Sequence, residues 1–279
     1  MSEAGSKADI REPGNAAEVE SKLEARRQWI EMLVLRSLSV VILLVLWEGV
    51  SRVVSADIVP SVTRVYAVFM ASLDDGYVWK DMAVTAGRVV AAFSLAMMIA
   101  LTAGMALGTI RWFGKMFDFW VTIAAAVPSI LYIVIAYLWL GLNDVAAIAA
   151  SAIVVAPSAT FNVIQGVKAI DPGLSEMARA FRVPSRAILW RVLLPQTLPY
   201  LFAAGRTGLA LTWKIVIFVE LMGRSSGVGY RIQYFYSLFN MERVLASALP
   251  FMLVMLLIEL VVIRRLEAYL FRWRREEAR

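Results

Sequence analysis

The chain has 279 residues, 60% of them hydrophobic, with a mean hydropathy of +0.70, more apolar than a soluble globular domain of this length. It contains no cysteine and no histidine, which excludes disulfides, thiol nucleophiles, thiolate or imidazole metal ligands and histidine general bases together. The formal net charge of +6 accompanies apolar runs that reach the ~20 residues needed to cross a bilayer, so the positive-inside rule accounts for it more simply than nucleic acid does.

Residues 1–28 are rich in Glu, Lys, Arg, Ser and Gly and lack the pattern of a cleaved leader, so they read as a disordered cytoplasmic tail. The hydropathy pattern predicts an all-α, polytopic membrane domain over 29–270. It has six transmembrane helices at about 32–51, 88–110, 119–140, 144–164, 198–221 and 244–264, and a basic tail follows at 271–279. Eighteen Lys and Arg residues fall in the tails, around Arg111 and in the 165–196 loop, against six in the opposite loops. That asymmetry puts both termini and the 165–196 loop on the cytoplasmic side of a multi-pass inner-membrane protein.

Within the early spans, Ala100, Gly104 and Gly108 recur every fourth residue, a small-residue face suited to close helix packing inside the chain. Pro128, Pro157 and Pro199 interrupt helical patterns and predict kinks beside a cavity or neighbouring helix. Trp29, Trp47, Trp112, Trp120 and Trp139 sit near span ends, where indoles anchor at the membrane interface. Tyr132, Tyr137 and Trp139, with Tyr234, Tyr236 and Phe239, are alternatives for the lining of a solute route.

The stretch EMARAFRVPSRAILWRVLLP at 176–195 is charged and amphipathic between two apolar spans. Asp171 and Pro172 form a helix start, with a capping carboxylate and a proline preset at the first position. Leu174, Met177, Ala178 and Phe181 then share one apolar face, while Glu176, Arg179 and Arg182 point elsewhere. Pro184 and Ser185 open a second short helix, expected to end at Pro195. Such a hairpin suits a handle by which a soluble motor moves the bundle.

This stretch resembles the EAA loop of ABC importer permeases, in which Glu-Ala-Ala is followed by a glycine after three residues and by Ile-x-Leu-Pro nine residues later. Glu176, Ala178, Leu194 and Pro195 match, Met177 and Val192 are mild substitutions, and Arg182 stands where the family has glycine. A glycine there implies a left-handed turn, so either the turn is built differently here or Arg182 contacts the ATPase. The runs PSILYIVIAYLWLGLND at 128–144 and AAGRTGLALTWKIVIFVELMGRSSGVGY at 203–230 are similar to permeases of nitrate, sulfonate and taurine importers. The resemblance implies a type I importer permease that forms a homodimeric pore and transports a small anion. It further implies two copies of an ABC ATPase docked on the 165–196 loops, through Glu176, Met177, Ala178, Phe181, Arg182, Val192, Leu194 and Pro195, and an extracytoplasmic substrate-binding protein. The chain contains no GxxxxGK[ST] phosphate loop, so ATP and Mg are expected on the partner ATPase and the chain itself is expected to be a transport subunit rather than an enzyme.

Ionisable residues at bilayer depth face protein or water, because lipid exposure costs about 2.5–3.5 kcal/mol each on insertion scales. Glu48, Arg88, Arg206, Glu220 and Glu259 lie towards span ends, where pairing or snorkelling accounts for them. Lys214 falls well inside the fifth span beside Trp213. It is open to three readings: an ion pair with a carboxylate such as Glu259, the lining of a watery pathway, or a contact to an anionic solute. Together with Trp213, Arg206, Glu220, Tyr132 and Trp139 it makes up the expected pathway set. A gradient-driven carrier or channel is the alternative function, although no half of the chain visibly repeats the other. An intramembrane enzyme would need a serine–lysine or carboxylate pair, and Thr207, seven residues before Lys214, is too far to be activated.

Overall fold

The computed structural model describes residues 13–271, and the expected tails fall partly outside them, at 1–12 and 272–279. Helix α1 (Pro13–Val53) begins sixteen residues earlier than the expected tail boundary, with proline in the first turn, where its missing N–H is not needed. The chain divides into two compact units, Met1–Thr63 and Arg64–Arg279. In the first, the apolar side chains of α1 are exposed along the helix, and Trp47 Nε1 donates to the Pro60 carbonyl at 3.0 Å, folding the segment after α1 back on its end.

In the second unit, α2 (Val62–Asp74) leads by Gly76, in the left-handed region at φ 74°, into α3 (Tyr77–Thr109). Helices α4 (Arg111–Ala126) and α5 (Ser129–Leu140) follow, then α6 (Asp144–Lys168). The core is the packing of α3 and α6 with α9 (Leu194–Gly223), built on small residues: Ala92, Ala96 and Ala100 on α3, Ala152, Ala156 and Ala159 on α6, and Ala204 on α9 are all buried. A Cβ added at Gly104 would lie 2.6 Å from the Val163 Cβ, and one at Gly108 the same distance from the Val167 Cβ, so the glycine face of α3 packs inside the chain against α6.

Five helical stretches are long and apolar enough to cross a membrane, and the number becomes six if α4 and α5 count as one broken span. The sequence pattern anticipated a single kinked helix at 119–140, but α4 and α5 meet at 92°. Pro128 supplies no N–H and restricts the residue before it, and Val127 accordingly turns extended at φ −64°, ψ 129°. At Pro157 and Pro199 the helices instead continue.

The second difference lies at Pro195, expected as a stop. Helix α7 (Pro172–Ala180) is followed by α8 (Ser185–Ile188), whose backbone passes through a π-helical turn at Leu189–Leu193 straight into α9. Pro195 sits in the first turn of α9, where the wider π turn before it removes the conflict between the pyrrolidine ring and the preceding carbonyls. The chain closes with α10 (Val228–Ser237), α11 (Met241–Leu257), a π-helical turn at Ile258–Ile263 and α12 (Arg264–Leu270). We expect Gly104→Val to lower stability by about 1–3 kcal/mol, the range for overpacking a close contact. The same substitution paired with Val163→Ala should recover part of the loss in thermal denaturation of the detergent-solubilised protein.

Candidate functional site

Asp81, Thr85 and Arg88 occupy positions i, i+4 and i+7 of α3, one polar stripe at the start of an otherwise apolar helix, and all three are buried. Facing them near the end of α9 is Glu220, 0% exposed. Arg88 Nη1 donates to Glu220 Oε1 at 2.6 Å and to the Ser226 carbonyl at 2.7 Å, while its Nε reaches Asp144 Oδ1, at the start of α6, at 2.8 Å. Thr85 Oγ1 donates to the Glu220 carboxylate at 2.9 Å and accepts from the Val228 amide at the same distance. Gly229 N–H completes the shell of Glu220 at 2.8 Å.

The loop between α9 and α10 is shaped around this carboxylate. Gly227 has φ 103°, and a Cβ there would overlap Glu220 Oε1. A Cβ at Gly229 would lie 2.6 Å from that of Glu220. Asp81 receives the Gly227 amide at 3.3 Å and Arg231 Nε at 2.7 Å, and the Arg231 guanidinium lies over the Tyr77 ring at 4.7 Å. Arg224 pairs with Asp144 at 3.0 Å and donates to the Leu142 carbonyl at 2.6 Å. Glu220, placed in the expected pathway set, is thus enclosed by protein. The polar spacing of Asp81, Thr85 and Arg88 was the sequence signal for this network, masked because each residue falls near a predicted span end.

The other pathway residues do not converge. Arg206 donates to Glu259 at 2.6 Å and to Glu267 at 3.2 Å, beside a cavity of about 600 Å³ lined by Pro199, Phe202, Arg264 and Phe271. Trp213 is 5% exposed and packs edge-on against Phe251, while Lys214, the next residue, points out of the bundle. The Tyr132 hydroxyl donates to the Ala124 carbonyl across the α4–α5 bend, and Trp139 is 83% exposed. Among the described residues no group of three His, Cys, Asp or Glu side chains is arranged to hold a metal ion.

At the opposite end of α6 and α9 stands the 171–195 hairpin. Asp171 Oδ1 caps α7 by accepting from the Gly173 amide at 2.8 Å. Arg182 has φ 53°, with its N–H donating to the Arg179 carbonyl and that of Val183 to the Ala178 carbonyl, the Schellman pattern of helix termination. The turn therefore takes the left-handed form in which glycine is favoured, with arginine in it. Ala178 and Ile188 are buried, whereas Leu174, Met177, Phe181 at 78%, Leu189 and Trp190 at 60% are exposed beside the charged Glu176, Arg179 and Arg186. Val192, Leu194 and Pro195 lie partly buried where the hairpin joins α9.

Apolar spanning helices, a buried charge network at one end and an exposed amphipathic hairpin at the other are features of a membrane permease component. The sequence matches the family described as binding-protein-dependent transport system inner membrane component over residues 96–275, and the chain belongs to that family. It is the permease subunit of an ABC importer. Similar proteins include a putative ABC transporter permease of Methanocaldococcus jannaschii, 28% identical over 83% of this chain and 88% of that one. The putative aliphatic sulfonates transport permease SsuC of Bacillus subtilis is 27% identical over 94% and 95%, and the bicarbonate transport permease CmpB of Synechococcus elongatus is 28% identical over 72% and 70%. A solved amino acid ABC transporter, crystallised with histidines, shares the fold with a TM-score of 0.58 at 15% identity, covering 73% of this chain and 97% of that one.

Removing one member of a buried ion pair costs about 3–5 kcal/mol because the other is left uncompensated. Arg88→Met should therefore destabilise strongly, and adding Glu220→Gln should restore part of the loss, read as thermal midpoints in one detergent. At the hairpin, Arg182→Gly relieves a left-handed arginine worth about 1–2 kcal/mol, partly offset by glycine's greater unfolded-state freedom. Amide exchange of Val183 should slow by roughly fivefold on that substitution, as expected for about 1 kcal/mol of local stability.

Proposed function

We propose that this chain is the membrane subunit of an ATP-driven importer of a small anion, that two copies enclose the solute route, and that the 171–195 hairpin is the docking surface of a separate ATPase. The observation that carries the coupling role is mechanical: α8, the π turn and α9 form one uninterrupted helical stretch, Ser185–Gly223, so force on the hairpin is delivered directly to a core helix. Exposed Phe181, Met177 and Trp190 supply an apolar contact of the kind that monomeric surfaces rarely leave uncovered, with charged neighbours to fix orientation. Glu176, Ala178, Arg182, Val192, Leu194 and Pro195 then serve by shaping or seating that surface.

The anion assignment is supported by the sulfonate and bicarbonate permeases among the relatives. In this reading ATP and Mg are bound by the ATPase, an extracytoplasmic binding protein delivers the solute, and both termini lie in the cytoplasm, as the distribution of Lys and Arg supports. Co-purification provides the test. The wild-type chain should bring down an ATPase whose hydrolysis responds to a binding protein, and Phe181→Asp with Trp190→Asp should cut the recovered ATPase at least about tenfold while the chain remains in the membrane. Uptake driven by an ion gradient without an ATPase would overturn the proposal.

A further inference from the structure

Along α9, Thr207, Leu211, Lys214, Phe218 and Met222 are exposed, while Thr212, Trp213, Ile215, Val216, Val219 and Glu220 are buried. The exposed set advances by four, three, four and four residues, one continuous stripe on the outside of a single chain. Lys214 is the one cation on it. Nine residues separate Lys214 from the end of α9 at Gly223, about 13 Å of helix, and both of its nearest exposed neighbours are apolar.

The carboxylates that could neutralise Lys214 from within the chain are engaged elsewhere. Glu259 accepts two bonds from Arg206, Glu267 a third, and Glu220 is enclosed by Arg88, Thr85 and Gly229. No ion pair to Lys214 occurs among the described residues. The indole beside it in sequence faces the opposite way, against Phe251. A lysine unpaired at this depth is compatible with water or a ligand on that face and poorly compatible with lipid.

We propose that the Lys214 stripe lines the water-filled solute route and that the Lys214 ammonium, one from each copy of the chain, is the contact that selects an organic monoanion with an apolar body. This deepens the importer reading and rests on it. The carboxylate or sulfonate of the solute faces the ammonium, while Leu211 one turn to one side and Phe218 one turn to the other contact its apolar portion. Arg88 cannot serve instead, because its nitrogens are already engaged by Asp144, Glu220 and Ser226, and Glu220 is sealed.

The absence of cysteine simplifies the test, since any introduced thiol is the sole one in this chain. Leu211→Cys and Phe218→Cys are each prepared in the full chain, assembled with its ATPase in membrane vesicles, and treated with a membrane-impermeant anionic methanethiosulfonate or its cationic trimethylammonium analogue. Both positions should react, Val216→Cys on the buried face should not, and the anionic-to-cationic rate ratio should fall at least about tenfold when Lys214→Met is added. Lys214→Arg should preserve the ratio. Unreactive cysteines at 211 and 218 would overturn the proposal, as would a ratio indifferent to Lys214→Met. Recovery of the ATPase in the same preparations reports on the importer assignment separately, so a complex that assembles without charge preference removes the role of Lys214 alone.

Discussion

A carboxylate with no access to water organises this fold. The Glu220 carboxyl group has a donor on each oxygen: Arg88 and Thr85 from α3, and the Gly229 amide from the start of α10. Desolvating such a group costs several kcal/mol, and the interaction with Arg88 offsets this only while the geometry is held. The same guanidinium reaches Asp144 at the first residue of α6, so one buried pair fixes the relative positions of α3, α6 and α9 at one end. The small-residue packing of Ala96, Ala100 and Gly104 then determines how closely the helices approach over the rest of their length.

At the other end the constraint is continuity rather than charge. Because the π turn carries α8 into α9 without a loop, a displacement of the hairpin has no flexible joint in which to dissipate. The two ends of α9 thus differ in kind, one clamped by a buried network and one continuing into an exposed hairpin. Between them lies the stripe carrying Lys214, on the face the bundle leaves uncovered.

Much of this was legible from residue patterns with a direct steric or capping cause. The apolar runs fall on helices long and apolar enough to cross a membrane, the Ala100–Gly104–Gly108 spacing marked the close-packing face of α3, and Asp171–Pro172 marked the start of α7. The glycine expected at 182 pointed to a left-handed turn, and the arginine there adopts it. What was not legible depended on context. Pro128 and Pro195 have the same local chemistry, yet one sits at a 92° break and the other follows a π turn in an unbroken helix, a difference set by their surroundings rather than by the proline itself. Nor could hydropathy assign partners: Glu259 was a candidate for Lys214 by depth, but Arg206, with two carboxylates within reach, takes it.

The close fit of Gly227 and Gly229 around Glu220 also makes the loop between α9 and α10 a poor candidate for piecemeal exchange. A chimaera that imports the Arg224–Tyr230 segment from another permease inherits a backbone moulded to a particular carboxylate. That carboxylate in turn needs a threonine and an arginine supplied 130 residues or more earlier in the chain. The transferable unit is therefore discontinuous, comprising the start of α3, Asp144 and the α9–α10 corner, and these parts are expected to drift together or not at all as relatives diverge.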